Sequence, residues 1–355
     1  MTLRDPSLSG ERPLSTRRQL LLRTLGTGAA IIGGSALAAC ARQSEAATTV
    51  VPLGPTETTT VRIVMPPECD PGIWLAQDYL HDEGFTNVSY VPTNFTTRAW
   101  LTDGLADIAP AHPEFMVATI DAGLPLTVLA PLHSACLELW ADRSITTVRD
   151  LKGRRISVRM KDTSDQFFAF FAALLGYVGM GDVHFVEAGI DHYSAMIDAF
   201  KEGRADAVLA GAAEGPKLRR SGTLGNVILD TMTDKPWSLY ECCHLVANRD
   251  WARQNPIATK RATRAVMRAT NRAAKDHAGA ARDSIASGYP KEESLVVAAM
   301  NMCKYNWRDV EPTETARFFA LRLAEAKVIK STPEQILDRG TDFAFLPQLR
   351  SELKA

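Results

Sequence analysis

The residues able to do chemistry fall at a few places along the chain. Cys40 ends an almost uncharged run, Gly26 to Ala39, that follows the pair Arg17-Arg18. Cys242-Cys243-His244 sets two thiols beside an imidazole. Glu68, His112 and Glu241 are titratable groups near the ends of expected strands, and Thr163-Ser164 follow one strand and open a helix. Phe95 sits in a loop and Tyr240 at a change of character in the chain, where aromatic rings can wall a pocket. The chemistries these types suggest differ. They are thiol acylation, metal ligation, hydrogen bonding or ion pairing to a small molecule, and capture of an anionic head by the free N–H groups of a helix start.

The N-terminal stretch has three parts: a basic start, an apolar run and the small residues Leu37-Ala38-Ala39 before the thiol. That is the layout of a secretory signal. The run is short for a membrane span, which needs about 20 residues. Ser15 to Leu21 resembles the twin-arginine export signal, a receptor-read address for proteins folded before they cross. Leu37 to Cys40 resembles the bacterial lipobox, in which the cysteine takes a lipid and becomes the mature N-terminus. The expectation is an exported lipoprotein facing the periplasm or cell exterior, held by lipid on Cys40. One acyl chain holds only marginally, so diacylation is implied. Residues 41–60, rich in Thr, Ala, Pro and Ser without a period, read as a flexible tether.

The first 40 residues carry +3, so the remainder carries −4 where the whole chain of 355 carries −1. A mildly acidic chain has no electrostatic footprint for nucleic acid. Six cysteines leave five beyond Cys40, an odd number, so at least one thiol is free or pairs outside the chain. No phosphate loop, HExxH or GxSxG element occurs outside the signal, and no cofactor is expected. On a strand, neighbouring side chains face opposite ways, so Cys242, Cys243 and His244 are not expected to converge on a metal. Arg159 argues for an anion if it faces the cleft, while the same alternation can point it to water. Asp70 reads as a helix N-cap, Glu114 as a complement to a helix dipole, and Trp74 as core.

The elements that must position these groups alternate. Val61 to Met65 reads as a buried strand, followed by a helix from Pro71 to Gly84. Val88–Val91, Asp107–Ala109 and Leu126–Pro131 are further strands, with helices at 96–104 and from Pro113 to Gly123. A second block runs from a capping box at Thr147 through a strand in "RRISVRM", a helix from Thr163 to Tyr177, strands at 183–186, 206–210 and 226–229, and a helix at 192–201. Long helical stretches cover 255–287, 291–303, 313–326 and 333–345. Strand–helix alternation implies α/β blocks with parallel sheets. In such sheets ligands sit beyond the C-terminal strand ends, here Pro66–Asp70, Asn94–Thr96, Ala109–Glu114, Met160–Ser164 and Ala210–Glu214.

Five stretches in order, "WLAQDYLHDEGFTNVSYV", "LADIAPAHPEFMVATIDAGLPLTVLAPL", "VRDLKGRRISV", "MIDAFKEGRADAVLAG" and "RQNPIATKRATRAVMRATNRAA", resemble the nitrate/sulfonate/taurine type of solute-binding protein of ABC importers. That group also includes binders of thiamine-precursor pyrimidines. The resemblance covers roughly residues 61–345. It implies the two-lobe periplasmic-binding-protein fold (type II), each lobe a sheet flanked by helices, with two hinge crossings. Lobe one would be 61–135 plus 245–345 and lobe two 140–240, crossing near His133–Leu139 and Tyr240–His244. The implied function is non-enzymatic capture of a small solute between the lobes, by a monomer that hands it to a permease and ATPase. The solute would be a sulfonate-, nitrate- or taurine-type anion, or an aromatic or pyrimidine compound. Glu68, Phe95, His112, Thr163, Ser164, Tyr240 and Glu241 are the expected contacts. Two alternatives stand beside this one. The first is a pyrimidine-precursor synthase; those relatives carry a cysteine-rich motif, whereas here only Cys242-Cys243 are adjacent. The second is a sensor presenting its bound form to a membrane receptor.

Overall fold

The computed structural model describes residues 54–92, 98–189, 194–222 and 225–353. Arg17-Arg18, Cys40 and Phe95 lie outside the described residues. Eleven strands form two sheets among them. Strands β1 (Thr60–Val64), β2 (Asn87–Val91), β3 (Ile108–Ala111), β4 (Leu126–Ala135), β10 (Glu241–Asn248) and β11 (Cys303–Lys304) make the first, ordered β11-β4-β10-β3-β1-β2. Strands β5 (Glu138–Ala141), β6 (Arg155–Val158), β7 (His184–Glu187), β8 (Ala207–Ala210) and β9 (Asn226–Asp230) make the second, ordered β7-β6-β8-β5-β9. The chain leaves the first sheet after Ala135 and returns to it at Glu241.

Neither sheet is purely parallel. β1 pairs β2 and β3 in parallel, and β6 pairs β7 and β8 in parallel, as the strand–helix alternation predicts. But β10 runs antiparallel between β3 and β4, and β5 antiparallel between β8 and β9. These are the strands that enter each lobe from the other. A strand that arrives directly from the opposite lobe has no helical crossover to turn it round, so it runs against its neighbours. The crossing itself is tightly specified: Ala135 and Cys136 hold left-handed backbone, at φ 72° and 96°, which side chains other than glycine rarely adopt.

Several helices begin or end elsewhere than the sequence pattern suggests. The expected helix from Pro71 is two short ones, Pro71–Trp74 and Gln77–Asp82. The stretch 255–287 is likewise two helices, Pro256–Lys275 and His277–Ala286, because Asp276 stops the first and caps the second by accepting from Gly279 N–H at 2.9 Å. The helix expected from Thr163 starts at Gln166, since Asp165 is its N-cap and accepts from Phe167 N–H at 2.8 Å. The Thr147–Asp150 capping box forms as read.

One continuous apolar cluster runs from lobe one through the crossing into lobe two, joining Phe115 and Phe319 to Leu137, Leu139, Phe170 and Trp237. A second lies under the Pro256–Lys275 helix, whose buried face is largely Ala and Thr. Those small side chains let it approach closely: a Cβ built on Gly72 would lie 2.8 Å from Thr270 Cα. Helix Pro312–Glu325 packs on both lobes, against Pro113–Asp121 and Gln166–Val178. Gly176 makes the second contact possible, because a Cβ there would lie 2.3 Å from the Arg322 carbonyl oxygen. No helix among the described residues is long and apolar enough to cross a membrane.

Candidate functional site

Between the sheets lies a cavity of about 240 Å³. Its walls come from loops at strand ends of both lobes: Pro67–Cys69 after β1, His112 after β3, Arg159 after β6, Gly211–Glu214 after β8 and the Cys136-Leu137 crossing. The start of helix Gln166–Val178 adds Gln166 and Phe167, and Lys291 reaches in from the loop between helices His277–Ala286 and Glu293–Met300. Buried strands end where their backbone groups lose partners, so loops and helix starts gather there with polar groups to offer.

The cavity mixes both signs of charge. Arg159 is 2% exposed and its Nε donates to Asp165 at 2.9 Å. Its guanidinium also lies 5.2 Å from the centre of the Phe167 ring. Burial holds the Asp165 carboxyl above the ordinary range even with Arg159 beside it. Across the cavity Lys291 Nζ donates to Glu68 at 3.1 Å. Burial, reinforced by the negative charge of Glu68, pushes Glu214 up to about 7. Gln166 is buried and its Oε1 accepts no hydrogen bond among the described residues, an acceptor left over at the cavity wall. An Arg and a Lys can hold an anionic or carbonyl end of a solute, while Gln166, Glu68 and Glu214 can take donors.

Of the residues singled out from sequence, Glu68 and His112 line this cavity. Thr163 and Ser164 do not: they lie before the N-cap, where Thr163 O accepts from Arg98 at 3.1 Å and Ser164 N–H donates to Asp162 at 2.6 Å. Tyr240 and Glu241 line a separate narrow pocket with Trp237 and Phe319. There Tyr240 stacks on Phe318 with ring centres 4.1 Å apart, and burial pushes Glu241 up to about 7. Trp74 packs on Tyr90 and Tyr289. Of the two orientations open to Arg159, the structure takes the inward one. β6 ends at Val158, so alternation does not extend to residue 159, and the side chain turns inward. Lys291 carried no sequence signal, because only the return of the C-terminal helices to lobe one brings it here.

Asp70 is also reassigned. It occupies an N-cap position without making a side-chain cap bond. Its carboxylate instead meets His133 Nε2 at 3.4 Å and accepts from the Cys69 thiol at 3.8 Å, all buried. Burial opposes charging of His133, but Asp70 outweighs it and holds that imidazole up at about 10. His244 goes the other way, down to about 3, because burial and the neighbouring His112 and His133 disfavour its charged form. All five described cysteines are free, buried thiols.

Comparison with known proteins gives these features a context. The family model described as NMT1/THI5 like matches residues 75–280, more than half of the chain. No match was found among curated proteins. Among solved structures, the periplasmic nitrate-binding protein NrtA from Synechocystis PCC 6803 is 14% identical, with a TM-score of 0.66, over 85% of this chain and 90% of that one. The alkanesulfonate-binding protein SsuA from Xanthomonas axonopodis pv. citri, bound to MOPS, is 15% identical with a TM-score of 0.61 over 78% of this chain and 96% of that one. A conserved Candida albicans gene product with the generic periplasmic binding protein structural fold is 15% identical with a TM-score of 0.63, over 80% of this chain and 96% of that one. The two sheets, the paired crossings and the cavity between the lobes are those of the periplasmic binding protein fold, and the chain belongs to the NMT1/THI5-like family.

Proposed function

We propose that this protein is the extracytoplasmic solute-binding component of an ABC importer, tethered by lipid on Cys40, which captures one small organic solute between its lobes. The observation that carries the reading is the cavity of about 240 Å³ walled by strand-end loops of both lobes. That volume lies below the roughly 300–1,000 Å³ usual for small-molecule pockets, so the solute is small. Arg159 and Lys291 suit its anionic or carbonyl end, and Gln166 and Glu214 suit a hydrogen-bond donor on the same molecule. A sulfonate, taurine-like zwitterion or pyrimidine meets that demand better than a bare inorganic anion. The alkanesulfonate-binding neighbour supports the sulfonate end of that range.

The test is a thermal-shift screen of the purified protein against sulfonates, nitrate, aromatic acids and pyrimidines, followed by calorimetric titration of the hits. One solute binding at one site, weakened about tenfold or more by Arg159→Gln, is the expected result. Absence of any stabilising compound from all four classes overturns the binding role. The NMT1/THI5 family includes a synthase, so each hit is also assayed for conversion. Recovery of an altered compound replaces the binder by an enzyme. Lipid-precursor labelling of wild type and Cys40→Ala tests the anchor, and equal labelling of both refutes it.

A further inference from the structure

Behind the cavity wall three thiols and an imidazole meet. His112, Cys136, Cys242 and Cys243 each offer a ligand atom, and these atoms all lie within 4.8 Å of one another. All four residues are buried. Strict alternation along β10 would have kept Cys242 and Cys243 on opposite faces. The register of β10 against β4 shifts on both sides of Cys243, and these irregularities let both thiols turn to the same point while His244 stays out of the group. Cys136 is delivered by the left-handed backbone at the crossing. His112 occupies an N-cap position without capping its helix through its side chain, and its Nδ1 lies 3.8 Å from the Cys242 sulfur.

We propose that these four residues form a tetrahedral Cys3His site for Zn2+ at the floor of the cleft. Ligand types and number are those of a closed zinc site. Zn–S bonds of about 2.3 Å and Zn–N bonds of about 2.0–2.1 Å place tetrahedral ligand atoms about 3.5–3.8 Å apart, so the group must draw in by about 1 Å at most. Binding displaces the three thiol protons to solvent and leaves the imidazole neutral, with no change of oxidation state. An entry path exists because His112 and Cys136 also line the cleft cavity.

A neighbouring group, Cys69, Asp70, His133 and Cys243, is the weaker site. Asp70 and His133 already face each other at 3.4 Å, and Cys69 donates to Asp70. Cys243 belongs to both groups, so it closes one of them at a time.

The experiment uses the reduced full chain, desalted after exposure to Zn2+ alone, with Co2+ as a spectroscopic substitute. The expected result is one equivalent of zinc by elemental analysis, and a cobalt spectrum with intense thiolate charge-transfer and tetrahedral bands. Cys242→Ser and His112→Gln should each weaken zinc binding about 100-fold, at least what losing a supporting group costs. Cys303→Ser, outside the group, should leave it unchanged. Circular dichroism shows that each variant is folded, and having a thiol and an imidazole variant keeps the test open if one fails to fold. Less than half an equivalent of zinc overturns the proposal. So does a cobalt spectrum without thiolate bands, equal loss in Cys303→Ser and Cys242→Ser, or a disulfide among Cys136, Cys242 and Cys243 in the protein as it is made.

Discussion

Removing the Asp165 carboxylate should be costly alone and cheap when Arg159 goes with it. The pair is 0% and 2% exposed, joined at 2.9 Å, and Asp165 also caps helix Gln166–Val178 through Phe167 N–H. Asp165→Ala takes from the buried guanidinium the carboxylate its Nε donates to, at about 3 kcal/mol or more, and loses a cap worth about 1 kcal/mol. Arg159→Met leaves a carboxylate whose protonation burial already favours, at about 3 kcal/mol. The double variant has no buried charge left, only the lost cap and altered packing, so it should cost about 2 kcal/mol. The singles therefore exceed the double by several kcal/mol, a coupling of at least about 3 kcal/mol. Asp165→Asn, which keeps a capping oxygen, should be milder than Asp165→Ala by the cap alone. Urea unfolding followed by tryptophan fluorescence measures all four, since Trp237 lies 5.2 Å from Phe170 on the same helix. If the single costs add to within about 0.5 kcal/mol of the double, the two charges do not depend on each other and the reasoning fails.

Glu214 gives a pH prediction. Its folded value, about 7, lies above the ordinary carboxylate value, so the folded state favours the protonated form. Stability from this group is therefore full below about 4.5 and declines as pH rises through about 7, and an anionic solute should lose up to about tenfold in affinity per pH unit above that. Glu214→Gln should flatten both curves, and a wild-type slope persisting in the variant assigns the titration elsewhere. Gly176→Ala drives a Cβ to 2.3 Å from the Arg322 carbonyl between the lobes, which should cost about 1–3 kcal/mol and lower the melting temperature by several degrees. An unchanged melting temperature refutes the close contact. Gly72→Ala, 2.8 Å from Thr270 Cα, should cost a similar amount without altering solute affinity, because it lies under helix Pro256–Lys275 and outside the cavity.

The parallel core of each lobe was legible because a buried strand reads as a short apolar run, and a helix after it announces itself with a cap and a periodic face. Thr60–Val64 followed by Pro71, and Leu126–Ala135 after Gly123, show this. What the chain's own order hid was long-range. Glu138–Ala141 is a central strand of lobe two, yet four residues beside a crossing carry too little pattern to declare it. The strand-end rule places ligands beyond Val64, Ala111, Val158 and Ala210, and the loops there do wall the cavity. It says nothing of which side chains turn inward. Arg159 turns in one residue past its strand, Thr163 and Ser164 fall outside the wall because Asp165 takes the capping role, and Lys291 meets its partner Glu68 from 223 residues away in sequence. The gathering of Cys136, Cys242 and Cys243 depends on register shifts that no periodicity records.

β4 and β10 are neighbours in the first sheet, hydrogen-bonded along most of their length, and each connects to the second lobe at the same end of the ladder. Two tethers fixed side by side define a single line in space. Rotation about that line bends both together, whereas sliding or twisting one lobe across the other would stretch one tether against its partner. These two strands by themselves favour that one motion, although helix Pro312–Glu325 also ties the lobes. Points far from the line, such as the tips of the strand-end loops, sweep widest during it, while points on the line barely move. Cys136 and the Cys242-Cys243 pair sit on the line itself. On the functions proposed above, a zinc ion held by those thiols would keep its geometry whether the jaws are apart or shut, so it would not compete with the solute for the same displacement.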